Sequence, residues 1–406
     1  MPMHLTEDEV DEYGRREGLW TLNFGPQHPA THTTLRLLLT VDGEEVVDAE
    51  PDIGFLHSGF EKLAEVLDFN QYVTIVDRMN YVSPMANEIA WHHAVEKLLD
   101  IELTPRCKYL RTIFAELMRI HDHLLCVGAC ILDLGGISAF MYANNERERI
   151  FEICERVTGQ RFHTSYTRVG GLLFDVNDDA IAMLREFVQG FDKTFADMDK
   201  LITRNRIFVE RTRGVGVLSK EAAISGGATG PVARASGVVR DLRRDEPYLA
   251  YADLDFDIVC SREGDCFSRY SVRMLEMLES VKIIQQALEK LPSGPIFADG
   301  TGKEFMPEKR EVYQSIEGLI HHFESIMPNR QMPCEPGSLY AATESPNGEL
   351  GFFLVSNGTF RPYRARTRPP SLVHFALFPQ LIRGCMLSDV VAVLGSLNII
   401  AAELDR

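Results

Sequence analysis

The spacing of apolar and polar positions changes several times along this chain, and each change marks an element. From Leu35 to Val41 and again from Glu44 to Ala49 the two classes alternate around Asp42-Gly43, which predicts a hairpin with an Asp-Gly turn. Residues 1–20 are polar and read as an arm. From about residue 57 the period becomes helical. Helices are expected over 57–68, 85–99 and 104–132, the last with Leu110, Ile113, Phe114, Leu117, Ile120, Leu124 and Leu125 on one stripe. Thr104-Pro105 supplies that helix with an N-cap and first residue. A further helix is expected over 140–158, then a Gly-rich turn at 169–171 and a long helix from Asn177 to about Ile207. Residues 214–264 look irregular, Gly-rich and interspersed with strand-like pieces. A periodic helix follows over 266–291 and stops at Pro292. Between Ser338 and Ala365 strand alternation returns around Pro346-Asn347-Gly348, ahead of a short helical tail.

The predicted class is mainly α (α+β), a central bundle of long helices with small β appendages near both ends. Three regions are expected: an arm and small β region over 1–56, a helical core over 57–335 with the insertion at about 214–264, and a β hairpin with helical tail over 336–406. With 406 residues, 45% of them hydrophobic, the chain can bury a large core. No apolar run is long enough to span a membrane, since the best candidate, Leu124 to Phe140, is broken by Asp133 and two glycines. The start, Met-Pro-Met-His-Leu-Thr-Glu, lacks the basic and apolar regions of a signal peptide, which predicts a cytosolic-side location. A net charge of -17 argues against nucleic acid and against unaided binding to an anionic membrane. The eight cysteines form no CxxC pair, and Cys126 with Cys130 supplies only two ligands, so no metal site is expected. No Rossmann fingerprint or P-loop is present.

Candidate chemistry begins at Asn23-Phe24-Gly25-Pro26-Gln27-His28-Pro29-Ala30-Thr31-His32. Two prolines stiffen this loop, which presents His28 and His32 as polar groups able to change charge near neutral pH. Tyr81, in DRMNYVSPM, carries a phenol that can donate a proton to a developing oxyanion. Asp133 ends an apolar helix and needs a partner there, which a histidine would provide. His163 is flanked by Arg161 and Arg168, neighbours that depress an imidazole pKa and suit an anionic group nearby. His92-His93 and His121-Asp122-His123 point apart on helices and make poor ligand pairs. The arginines 361, 364, 366 and 368 read as a solvated or interface strand face.

The ordered motifs GPQHPATH, HSGFEK, DRMNYVSPM, AVEKLL, FAELMRI, LDLGG, ERERI, VTGQRFH, DFDI, GDCFSRY, GELGFFLVSNGTFRPYR and ELDR run from residue 25 to 406. Together they resemble the D-subunit (49 kDa-type) family of NADH:quinone oxidoreductase, respiratory complex I. The resemblance implies the fold of the nickel–iron hydrogenase large subunit and a place on the cytoplasmic side of the membrane. The implied partners are the B, C and I subunits and the membrane-embedded H subunit. It implies that His32 and Tyr81 bind a quinone headgroup, that His28 shapes the same loop, and that Asp133 partners His32. His163 and Arg161 would lie near a 4Fe-4S cluster held by the B subunit, and NAD would bind elsewhere in the complex. The chain departs from the family pattern at Thr33-Thr34, Ser58 and residues 136–140, which bears on the shape of the quinone pocket.

Two rivals differ in chemistry. A nickel–iron hydrogenase needs two CxxC pairs, and none exists here. A non-catalytic scaffold subunit of a hydrogenase-like membrane redox complex would not need the proton-donating pair, yet His32 and Tyr81 are both present.

Overall fold

The computed structural model describes residues 5–7, 19–28, 31, 34–298, 309–326 and 334–406, with side chains left undescribed at 5–7 and 324–326. The long helix at its centre is dictated by its own ends and its stripe. Thr104 Oγ1 accepts from Cys107 N at 3.3 Å, Pro105 takes the first helical position, and the apolar stripe from Leu110 to Leu124 falls on buried positions.

Four antiparallel strands come first: β1 (Leu5–Glu7), β2 (Leu19–Phe24), β3 (Arg36–Asp42) and β4 (Glu45–Asp52), in sequential order. The expected hairpin is β3–β4, with Asp42 opposite Glu45. The expected arm is partly strand instead, because alternation in Leu19–Phe24 lets Leu22 and Phe24 bury against the sheet. The helix expected over 57–68 shrinks to α1 (Phe60–Ala64). Asp68 Oδ1 accepts from the amides of Asn70 and Gln71, an Asx turn that satisfies the backbone outside a helix before α2 (Val73–Val76). Then come α3 (Pro84–Leu99), the 29-residue α4 (Pro105–Asp133) and α5 (Ile137–Thr158).

Two short strands, β5 (Thr167–Arg168) and β6 (Gly171–Leu172), form the Gly-rich turn. α6 (Asp178–Ile202) is capped by Asn177 as expected, but it ends early. Asn205 Oδ1 caps the amides of Ile207 and Phe208 and starts a separate helix, α7 (Arg206–Thr212). The strand-like pieces expected over 214–264 are instead short helices, α8 (Lys220–Ser225), α9 (Gly230–Ala235) and α10 (Leu242–Asp245), with a 3-10 turn at Tyr251–Asp253. Ser219 and Asp241 cap α8 and α10 with their side chains, each accepting from a first-turn amide and so starting a helical turn. α11 (Cys266–Glu289) is capped by Asp265; α12 (Lys309–Gln314) and α13 (Ile316–Ile326) follow. The chain closes with β7 (Gly337–Ser345), β8 (Gly348–Ser356) and β9 (Arg364–Arg368), then α14 (Pro370–Ile382), α15 (Leu387–Leu397) and α16 (Ala401–Asp405). The tail is therefore three helices rather than one short piece.

Helices α4, α5, α6 and α11 enclose the largest apolar core. A second core joins the first sheet to α14 and α15, and a third joins α1–α3 to β7–β9. Between these cores lies a buried ionic network. Glu116 of α4 accepts from Arg119, Arg243, Tyr251 and Ser280. Arg243 also forks onto Asp241 at 2.7–3.2 Å, while Arg234 reaches Glu276 at 2.8 Å and Glu344 at 2.7 Å. His123 completes it by bonding Glu276 at 2.9 Å, and burial holds that imidazole down at about 4. Charges this deep are tolerable only when paired and hydrogen-bonded. Removing one member leaves its partners buried and uncompensated, so Arg243→Met is expected to cost about 3–5 kcal/mol of stability. Chemical denaturation of the purified chain would read this, with a surface Arg206→Met control unchanged.

Candidate active site

A cavity of about 500 Å³ opens where α4, the loop after β2 and the turn after α15 meet. On α4 it is lined by Leu125, Cys126, Ala129, Leu132 and Asp133, residues that share one face at helical spacing. Thr31, Thr34 and Leu35 form a second wall, Tyr81 and Val82 a third, and Leu394, Gly395 and residues 398–401 the last. Two of the candidate residues, Tyr81 and Asp133, therefore line one cavity. Asp133 Oδ2 lies so close to α15 that a Cβ built at Gly395 would stand 3.5 Å from it.

Tyr81 is held from both sides. Asn87 Nδ2 donates to the carbonyls of Val76 and Asn80, fixing the turn that carries the tyrosine. His121 Nδ1 donates to Val82 O at 2.7 Å, clamping that segment to α4. Burial depresses His121 to about 3, so it clamps as a neutral imidazole. The Tyr81 ring remains 36% exposed, and its phenol is pushed up by burial and by the Asp122 carboxylate. It is thus a protonated donor at neutral pH.

The histidine loop is only partly described. His28 packs its ring on Phe24 at 4.7 Å, and its carbonyl accepts from both the amide and the hydroxyl of Thr31 at 3.0 Å. His28 itself does not line the cavity, whereas Thr31 does. His32 lies outside the described residues. Gly25 is required here, because its φ is +90° and a Cβ would meet Leu35 O at 2.1 Å.

His163 sits in a different hollow of about 680 Å³, with Thr74, Arg78, Arg161 and Arg168 around it. Its pKa is lowered by burial and by Arg78, not by the flanking arginines as expected. Arg161 is engaged by Glu148 and Glu155, and Arg168 donates to the carbonyls of Ser165 and Thr167. His163 Nδ1 is buried without a hydrogen-bond partner among the described residues. The two hollows are linked: Phe162 packs its ring 4.7 Å from His163 and 6.4 Å from Tyr81. A polar link runs alongside, where Asp77 Oδ2 accepts from Ser165 N and Oγ at 2.8 Å. Burial and the neighbouring Glu88 carboxylate push Asp77 well above the usual carboxylate range.

His92 bonds Thr167 and His93 packs on Tyr248, so the pair diverges. Cys126 Sγ donates to Gly395 O, and burial raises that thiol to about 11. Arg364 pairs with Glu61 and Glu65, and Arg368 bonds backbone carbonyls at 227 and 349. Asp405 in the closing ELDR takes the amides of Gly54 and Leu56, so that motif is an anchor. Sequence reasoning missed Asn398, Ile399 and Ile400 as cavity residues. Their only signal was proximity to that motif.

Residues 133–406 match the family model described as the 49 kDa subunit of respiratory-chain NADH dehydrogenase. The chain is 47% identical over 402 residues to the D-1 subunit of NADH-quinone oxidoreductase from Chloroherpeton thalassium, covering 99% of this chain and 90% of that protein. The chain belongs to this family. The D-2 subunit from Rhizobium meliloti shares 46% identity, over 98% of this chain and 100% of its own length. The D subunit from Methylacidiphilum infernorum shares 44%, over 95% and 91%. As a member of the D-subunit family, the chain is a component of an oxidoreductase complex. Among the described residues, no helix is long and apolar enough to cross a membrane, and no cluster of three or more ligand side chains could hold a metal.

The wall at 398–401 rests on a second buried acid. Ser371 Oγ donates to Glu403, whose pKa is raised to about 8 by burial and by Asp122. An unfolded chain would lose that proton near pH 4.5, so the folded chain holds one extra proton from there up to about 8. Stability should therefore fall as pH rises through this window, by at most about 1.4 kcal/mol per pH unit. Glu403→Gln is expected to flatten that slope, read from thermal melts between pH 5 and 8.

Proposed function

We propose that the cavity between α4, the loop after β2 and the turn after α15 receives a quinone headgroup, and that Tyr81 supplies a proton to it. The observation that carries this reading is the convergence of Tyr81 and Asp133 on one cavity otherwise lined mainly by aliphatic side chains. A flat apolar ring with two carbonyl oxygens suits such walls, with few polar groups to orient it. Two-electron reduction places negative charge on each oxygen in turn, and each must be protonated. A neutral phenol within reach can donate as that charge develops. By the family's pattern His32, partnered by Asp133, serves the other oxygen, with His28 shaping the loop between them.

Electrons would arrive from the B subunit. His163, with a buried unpartnered ring nitrogen in a basic hollow, suits the surroundings of that subunit's iron–sulfur cluster, and Arg161 borders the same hollow. The aromatic contact from His163 through Phe162 to Tyr81 gives a packed route between the two hollows. The chain would then sit in the peripheral arm, on the cytoplasmic side, against the B, C and I subunits and the membrane-embedded H subunit, with NAD bound elsewhere in the complex. Charge left on Tyr81 and the His32–Asp133 pair after each turnover would start the coupling to proton pumping.

Tyr81→Phe deletes only the hydroxyl. In host membranes it is expected to lower NADH-driven reduction of a short-chain quinone about 100-fold or more, while ferricyanide reduction, which draws electrons upstream, is kept. Both activities unchanged would remove Tyr81 from the reaction and favour a scaffold role. Asp133→Asn should weaken quinone reduction and proton pumping together, measured as acridine-dye quenching in the same membranes. Both left intact would end the coupling idea.

A further inference from the structure

One carboxylate beneath the cavity wall takes no part in that scheme. Asp122 is fully buried on α4, one turn before the cavity-lining Cys126. Its Oδ1 accepts from Asn398 Nδ2 at 2.5 Å, and its Oδ2 has no hydrogen-bond partner among the described residues. Asn398 itself lines the cavity beside Tyr81 and is locked by a left-handed backbone at the end of α15 and by a 2.6 Å contact with Asn347.

Among the described residues, no cation pairs with Asp122 directly. Arg273 of α11 is the nearest candidate by charge, yet it donates to the carbonyls of Ser396 and Leu397. Arg147 of α5 donates to Asn144, and Arg119 of α4 to Glu116 and the carbonyls of 344 and 345. From α16 the facing group is Glu403, from the segment before α3 it is Tyr81, and on α4 itself it is Cys126. His121 and His123 turn away to Val82 and Glu276. A fully buried carboxylate with one amide donor and no direct ion pair among the described residues is poised to take up a proton.

We propose that Asp122 is a positioning acid for the quinone site, binding a solvent proton when Tyr81 gives its own to the reduced quinone oxygen. The inference rests on the assignment of Tyr81 as proton donor. In the step, the Tyr81 O–H bond breaks and the quinone O–H bond forms, leaving a phenolate; the electrons come from the iron–sulfur partner. A second negative charge beside an ionised Asp122 is costly in so dry a site, so the carboxylate picks up a proton from solvent. When the phenolate takes a proton from solvent, Asp122 returns its own to solvent, so that one solvent proton per cycle has passed by way of Tyr81 to the quinone.

The sign of the pH dependence follows. Burial raises Asp122 to about 6, so it is neutral below that pH and ionised above it. Ionised Asp122 opposes loss of the Tyr81 proton, which agrees with the upward push it exerts on that phenol. Quinone reduction, divided by ferricyanide reduction in the same membranes, should fall as pH rises through about 6. Asp122→Asn mimics the protonated acid and should lose that inflection, exceeding the unsubstituted complex above about pH 7 relative to ferricyanide. Asn398→Leu removes the one donor to Asp122 and should move the inflection to higher pH. An unchanged inflection in both variants overturns the proposal, as does an equal loss of activity at every pH in Asp122→Asn. Tyr81→Phe separates the two levels. If it leaves quinone reduction intact, the donor assignment fails and this proposal with it. If it abolishes reduction while Asp122→Asn keeps the ordinary profile, only the role of Asp122 fails.

Discussion

The geometry of the molecule depends on a knot of buried charges that solvent hardly reaches. Three guanidiniums, those of Arg119, Arg234 and Arg243, are shared among four carboxylates, those of Glu116, Asp241, Glu276 and Glu344. Burial pushes Glu344 upward, as suits the acid left over in such a count, while Glu116 is drawn down to about 2 by Arg119 and Arg243 despite its burial. Because these groups come from α4, α9, α10, α11 and β7, each helix can satisfy its charge in one rotation only. Apolar packing alone tolerates sliding and rolling far better. The roll of α4 is set here, and with it the face that turns Leu125, Ala129 and Asp133 toward the cavity.

Much of the long-helix architecture was legible in the sequence because it is local. Thr104 caps α4 where its side chain and spacing indicated, α6 starts beside Asn177 as its sequence indicated, and Pro346-Asn347-Gly348 turns between β7 and β8. Failures cluster where a side chain competes with the backbone over a few residues. Asp68 stops α1 and Asn205 splits the long helix after Ile202, and neither breaks the apolar period. The knot was invisible, since Arg234 and Arg243 find acids that only the folded chain brings to them. Charges paired over a hundred residues or more, as in Arg243 with Glu116, leave no trace in spacing.

The candidate site shows the same division. Tyr81 and Asp133 were recognisable by their motifs, and the structure sets them around one cavity. The cause of the His163 shift was not recognisable: sequence neighbours pointed to Arg161 and Arg168, whereas Arg78, more than eighty residues away, is the cation that acts. Asp122 was hidden by its setting between two histidines, where the imidazoles draw attention first; all three side chains leave in different directions.

The cavity also has a place in time. Its walls run from Thr31 to Ala401, so one side is made about 370 residues before the other during synthesis. The first sheet shares its core with α14 and α15, so the early segment waits for the late one to bury its apolar face. A chain arrested before α15 lacks Leu394, Gly395 and residues 398–401, and with them one wall of the cavity. Closure of the cavity therefore waits for α15 and the turn after it.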